Sequence, residues 1–340
     1  MLVLIYFSLC FLLLVKHRSK WVFNVSILFL LLLFCFCGDI ADRENYESWF
    51  NLYDYSILNN LGFYFIVKFI IYVGGGPQLL YVLIGTIYLL SISYVIRKLS
   101  HNPNYVLAYY MLGLFFLDVV QLKNTFGHVI ILWALYFYFT MDKTFQRKLF
   151  FIFGVLLATL IHPSLFFYII FLFVDHKPKR VMLYSITISI LLYNFIYHLL
   201  GYIGPILGKE ELINIGFYSD KMVLLTQLIL LFFYFVVTII YLMRMKSNRC
   251  SNNNISCLLL NVLFLMLPLI PLIKISIDFR RFFFFLSLIV VILFGKSLKN
   301  NSQLYRVLFL VYALILLYFF TLGGNYRTVF LPLFQNNILF

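Results

Sequence analysis

Apolar runs of near-membrane length follow one another along the whole chain, and this repetition constrains the fold more than any other feature. The first fifteen residues are apolar. Further runs occupy about 21–37, 77–96, 105–121, 126–141, 149–161, 164–174, 181–200, 222–243, 256–274, 282–296 and 305–322. A helix needs roughly 20 such residues to cross a hydrocarbon core about 30 Å thick. Between the runs the linkers alternate in charge. One set holds Lys16/Arg18/Lys20, Arg97/Lys98, Lys143/Arg147/Lys148, Lys177/Lys179/Arg180, Arg244/Lys246/Arg249 and Lys296/Lys299/Arg306, which is 17 of the 26 basic residues, with only Asp142 and Asp175 among the acids. The remaining ten acids lie in the other linkers or inside the runs. Cations accumulate in the cytoplasmic linkers of membrane proteins, so the first set is assigned to the cytoplasm. Residues 38–60 and 201–221 are then outer loops, and both termini lie outside.

The composition agrees. Of 340 residues, 64% are hydrophobic and only 11% charged, with a mean hydropathy of +1.00. A soluble domain cannot make a polar surface from so little charge. The net charge of +14 is dispersed in short clusters rather than gathered in one stripe, which excludes nucleic acid as a partner. Because Lys16-His17-Arg18-Ser19-Lys20 follows the first apolar run instead of preceding it, that run reads as a retained helix and not a cleaved signal peptide. The expected fold is an all-α, polytopic transmembrane bundle of about 11–13 membrane segments, one integral membrane domain over residues 1–340. One or two of the segments are re-entrant or interfacial. Residues 61–73 are too short to span, carry Lys68 and end at Gly74-Gly75-Gly76-Pro77, so they are one such segment. The 149–174 run, cut by His162-Pro163-Ser164, is either one kinked helix or an outward-facing hairpin, and the basic clusters on both flanks favour the hairpin.

Cys10, Cys35, Cys37, Cys250 and Cys257 form no C-x-x-C pair and no Cys/His set, so neither a disulfide framework nor a metal site is expected. Phosphate-loop, dinucleotide and hydrolase signatures are absent too, and no cofactor is expected.

Ionisable groups in apolar segments cost about 2.5–3.5 kcal/mol on insertion scales, so each is a candidate for function. Lys274-Ile-Ser-Ile-Asp278-Phe-Arg280-Arg281 is the densest cluster. As a helix it would set Lys274, Asp278 and Arg281 on one face, a cradle for an anion such as a diphosphate or an outer-leaflet anchor. A second cluster runs from Asp118 to His128. Asp118, Gln121, Thr125 and His128 recur at helical spacing and make one polar stripe, with Lys123 elsewhere on the helix as an anion contact beside Asn124. His162, next to a proline, either satisfies a freed carbonyl or handles a proton. In the outer loop 38–60, Asp42 and Glu44 are candidate general bases. Tyr46, Trp49, Phe50 and Tyr53 form an aromatic stripe that reads as an interface belt or a sugar platform.

On these residues the chain resembles the EpsG-like/Wzy-type polymerases of bacterial polysaccharide export. The resemblance spans most of residues 35–300. It rests on Asp42-Arg43-Glu44-Asn45-Tyr46, Asn60-Leu61-Gly62-Phe63, Gln121-Leu122-Lys123-Asn124 and His162-Pro163-Ser164, with Gly38-Asp39 and Arg280-Arg281 fitting more loosely. Where the family has Arg-Gln, this chain has Lys123-Asn124, which keeps the charge and gives up the bidentate fork. The resemblance implies a glycosyltransferase of the bacterial cytoplasmic membrane that makes O-antigen, capsule or exopolysaccharide. It would move a growing glycan from undecaprenyl diphosphate onto another lipid-linked repeat unit at the outer face. Lys123, Asn124, His128, Lys274, Arg280 and Arg281 are then expected to bind the substrate. Asp42, Glu44 or His162 is expected to take the acceptor proton. The expected partners are the lipid-linked glycans, the bilayer and a chain-length regulator. A lipid-linked oligosaccharide flippase and a membrane O-acyltransferase are the competing readings.

Overall fold

Every element among the described residues is helical, in keeping with the all-α expectation. The structure, a computed structural model, describes residues 1–16, 18–51, 60–206, 228, 231, 254–275, 279–297, 303–321 and 325–339. It divides into two compact units, Met1–Ile169 with Phe309–Phe340, and Ile170–Leu308. Most of the expected outer loop 201–221, and Tyr53 and Cys250, lie outside the described residues.

The first unit begins with α1 (Leu2–Val15) and α2 (Lys20–Cys35), then α3 (Arg43–Asn51), α4 (Leu61–Tyr72), α5 (Pro77–Leu99) and α6 (Pro103–Tyr109). A π-turn, Tyr110–Leu114, leads into α7 (Phe115–Val120), followed by α8 (Leu122–Thr140), α9 (Thr144–Ile161) and the start of a 3-10 helix, Pro163–Asp175. Helix starts follow from local chemistry. The Ser19 hydroxyl accepts the Val22 N–H at 3.3 Å, and Pro77 and Pro103 stand at first positions where no N–H is needed. Among the described residues, Pro77–Leu99, Pro103–Val120 and Thr144–Ile161 are long and apolar enough to cross a membrane.

Side-chain pairs give the helix directions. Trp133 donates to Ser91 at 3.0 Å and Tyr136 meets Tyr94 at 5.6 Å, so α5 and α8 run parallel. Tyr138 meets Phe151, and a Cβ on Gly154 would lie 2.6 Å from Ala134 Cβ, so α8 and α9 run antiparallel in close contact. Asn104 Nδ2 donates to the carbonyls of Lys16 and Ser19 at 2.7 and 3.0 Å, and Arg97 donates to Asn24. The linkers bearing Lys16–Lys20, Arg97–Lys98 and Lys143–Lys148 therefore gather at one end of this unit. The less basic linkers gather at the other, as the charge alternation requires.

Two segments have lengths that their geometry explains. The apolar run after His162 doubles back, because Gly127 faces Ala158 before the turn and Leu165 after it. It returns as a 3-10 helix of 13 residues. At about 2.0 Å per residue this reaches roughly 26 Å, where an α-helix of that length would reach only about 20 Å. Helix α4 starts and ends at the same end of the unit. Gly62 packs on Leu160 and Ile161, while the turn at Gly74, with φ of 74°, hands the chain to Pro77. Phe65, Phe69 and Tyr72 stay exposed along it, which suits the interfacial placement expected for 61–73.

The second unit holds the rest of the 3-10 helix, α10 (Pro178–Ile206), α11 (Asn254–Met266), α12 (Leu269–Ile275) and α13 (Arg280–Ser297). Asn261 donates to the carbonyls of Val174 and His176 at 2.7 and 2.8 Å and so closes the end of the 3-10 stretch. From Phe282 to Phe294, α13 is buried almost all round. The chain then runs through α14 (Gln303–Thr321), a second π-turn (Tyr326–Phe330) and α15 (Leu331–Gln335). From Phe309 the chain is again part of the first unit, within which Ala41 N–H donates to Thr328 O at 2.9 Å and Ile338 N–H to Phe36 O at 2.8 Å.

Candidate functional site

At the end of the first unit away from its basic linkers, Arg43 ties three segments together. Its Nε meets Glu47 at 2.7 Å, its Nη1 donates to the carbonyls of Cys37 and Gly38 at 2.7 and 3.1 Å, and its Nη2 donates to Gln78 at 3.2 Å. Its guanidinium lies 5.6 Å over the Tyr81 ring. Gln78 in turn donates to the Cys35 carbonyl. A cation so engaged has little left for a ligand; its work is to hold α3 against α5. In the sequence Arg43 stands out only as a member of the Asp42–Tyr46 motif and Gln78 not at all, although Glu47 four residues after Arg43 is the spacing of a helical ion pair. Cys37 lies sealed beneath this clasp. Burial pushes its thiol up to about 12, with Arg43 partly opposing the shift.

Held by Arg43, α3 turns Tyr46 and Trp49 inward. Trp49 meets Phe63 edge-on at 4.9 Å, and Tyr46 packs near Phe63 and Tyr81. Tyr46 is thus core, and half-buried Trp49 packs its ring against Phe63. Lys123 stands beside them. The ammonium donates to Asn60 Oδ1 at 2.7 Å and lies 5.5 Å over Trp49. Asn124 is buried and donates to Gln121 at 3.4 Å.

Lys123 stands where a helix breaks. The sequence spacing sets Asp118, Gln121, Thr125 and His128 on one continuous stripe, but α7 stops at Val120 and α8 starts at Leu122, with Gln121 at φ −105° and ψ 56°. Polar side chains at the break offer the backbone alternative partners. The Thr125 hydroxyl donates to the Asp118 carbonyl at 2.8 Å, and Tyr88 from α5 donates to Asp118 Oδ2 at 2.7 Å. Further along α8, buried His128 meets the Tyr168 hydroxyl at 3.2 Å.

The other expected residues are placed as follows. Asp42 and Glu44 are exposed at the start of α3, Asp42 with φ of 65° and its carboxylate accepting from Asn45 at 3.3 Å. His162 ends α9. Its Nδ1 lies 3.3 Å from the Ser164 N–H and 2.5 Å from the Ser164 hydroxyl. A backbone N–H can only donate, so Nδ1 accepts and the neutral ring carries its proton on Nε2. In the second unit Arg280 and Arg281 are half-buried in the first turn of α13. The Lys274 side chain and Asp278 lie outside the described residues.

The gathered positions Gly38, Arg43, Asn60, Gly62, Lys123 and His162 are those that carry the resemblance in the sequence. No curated protein and no solved structure matches the chain. The EpsG family model, however, matches residues 20–332, nearly the whole of it. The apolar helices, their two chemically distinct ends and this match together identify the chain as a membrane protein belonging to the EpsG family.

Proposed function

We propose that the protein is a polysaccharide polymerase that joins undecaprenyl-diphosphate-linked repeat units at the outer face of the bacterial cytoplasmic membrane. One observation carries the reading. The candidate cations Lys123, Arg280 and Arg281 all stand in the first turns of long helices, α8 of 19 residues and α13 of 18, neither with an acid in its first turn. A helix start and a cation beside it both attract an anion, the helix end contributing about 0.3–1 kcal/mol. A lipid diphosphate supplies such an anion, and its charge grows as the glycosyl bond breaks. Cations already in place then stabilise the departing oxygen. Membership of the EpsG family supports the same chemistry.

In this reading Lys123, oriented by Asn60 and Trp49, binds phosphate oxygens in the first unit, and Arg280 and Arg281 are phosphate contacts of the second, each unit taken by itself. Asn124 and His128 shape the wall beside the break. His162, with its proton on Nε2, serves as a hydrogen-bond donor to a substrate oxygen. The test is reconstitution of the purified protein in vesicles with purified lipid-linked repeats and no nucleotide sugar. Polymer of increasing length is expected. Movement of repeats across the bilayer without polymer would instead identify a flippase.

A further inference from the structure

We propose that Asp118 takes the proton from the acceptor hydroxyl, an assignment that rests on the polymerase reading above. Asp118 lies one turn before the break that carries Lys123, inside a helix apolar enough to cross a membrane. It keeps part of its surface open while Phe115, Phe116, Val119 and Val120 around it are buried. Among the described residues no cation closes a salt bridge on Asp118. A hydroxyl meets it instead. Tyr88 of α5 donates to Oδ2 at 2.7 Å, the Tyr110 ring of the π-turn lies 6.4 Å from that of Tyr88, and further along α8 His128 meets the Tyr168 hydroxyl at 3.2 Å.

A tyrosine joined to an asparagine or a serine would tie α5 to α7 equally well and carry no charge. An acid in an apolar span is kept where it handles a proton or a ligand. The other candidates suit the task less well. Asp42 and Glu44 are exposed to solvent, and His162 Nδ1 is already engaged by Ser164. In the step, the acceptor hydroxyl oxygen bonds to the anomeric carbon of the donor glycan. The bond from that carbon to the diphosphate oxygen breaks and its electron pair leaves on the diphosphate. The hydroxyl proton passes to the Asp118 carboxylate and later to water.

The test uses the full-length protein in vesicles with lipid-linked repeats. Asp118→Asn keeps the shape and the Tyr88 contact. It should lower kcat by about a hundredfold or more, change KM less than about threefold and abolish the acid limb of the rate–pH profile. Asp118→Glu should recover part of the rate together with that limb. Independently of turnover, dicyclohexylcarbodiimide should label Asp118 in the wild type, read by peptide mass, and lipid-linked repeats should block the label. An Asp118→Asn protein within threefold of wild type overturns the assignment and leaves the polymerase reading standing. If that variant fails to fold, labelling of wild-type Asp118 that repeats do not block overturns it equally. A wild type that makes no polymer overturns both.

Discussion

The Lys123 ammonium donates to the Asn60 side-chain oxygen across 2.7 Å, joining segments separated by 63 positions in the chain. Asn60 opens α4 and Lys123 opens α8, so one contact brings two helix starts together and aims a positive charge between them. Removing the charge and removing its guide are therefore separable. Lys123→Ala should reduce chain elongation by about a hundredfold, the scale of a lost transition-state donor, while Asn60→Ala should cost about tenfold or less. Chain-length ladders and single-turnover rates check both, and equal losses would deny Lys123 its separate role.

Arg43 and Glu47 form an ion pair whose halves differ in exposure, 14% against 43% for the two side chains. The arginine also serves two carbonyls and Gln78, which the glutamate does not. Arg43→Ala should lower stability by about 2–4 kcal/mol, because it leaves buried acceptors unmet. Glu47→Ala should lower it by less than about 1 kcal/mol, as expected of a solvent-screened pair. Thermal unfolding in detergent checks the ranking, and the Trp49 emission should shift with the first variant alone.

The architecture was legible because charge in lipid is costly: linkers rich in Lys and Arg and linkers poor in them had to fall at opposite ends, and in the first unit they do. Asn60, Lys123 and His162 were visible for the same reason, as polar residues bordering apolar runs. The break at Gln121 was not, since Asp118 to His128 fit a helical period whether or not the helix is continuous. Nor was the 3-10 stretch, because an apolar run does not announce its rise per residue. Tyr46 and Trp49 read as a surface stripe because nothing local reveals that Arg43 folds their helix back onto α4 and α5.

Cys37 follows α2 and is wholly buried, and its thiol is pushed up to about 12, first by burial. Alkylation requires the thiolate, so iodoacetamide should leave Cys37 unmodified in the native protein at pH 8 while exposed Cys257 reacts. The linkage sign follows. The folded pKa is raised above the ordinary value of 9, so this group's contribution is fully present below pH 9 and is lost as pH rises from 9 towards 12. Peptide mass analysis after labelling checks the first point, and stability measured above pH 9 checks the second.

Gly62 and Gly74 are both glycines near the ends of α4, for different reasons that substitution should separate. A Cβ at Gly62 would lie 2.7 Å from Ile161 Cδ1 and 3.1 Å from the Leu160 carbonyl oxygen, so the requirement there is space. At Gly74 nothing lies within 4 Å, and the requirement is φ of 74°, which L-residues adopt at a cost. Gly62→Ala should destabilise by about 1–3 kcal/mol through overpacking, and adding Ile161→Val should recover part of the loss because one of its two close neighbours can shrink. Gly74→Ala should cost about 1 kcal/mol, Gly74→Asn less, and no neighbouring truncation should help. Melting temperatures of the single and double variants, measured in one detergent, distinguish the two cases; rescue of Gly74→Ala by truncating a neighbour would show that its turn is governed by contact after all.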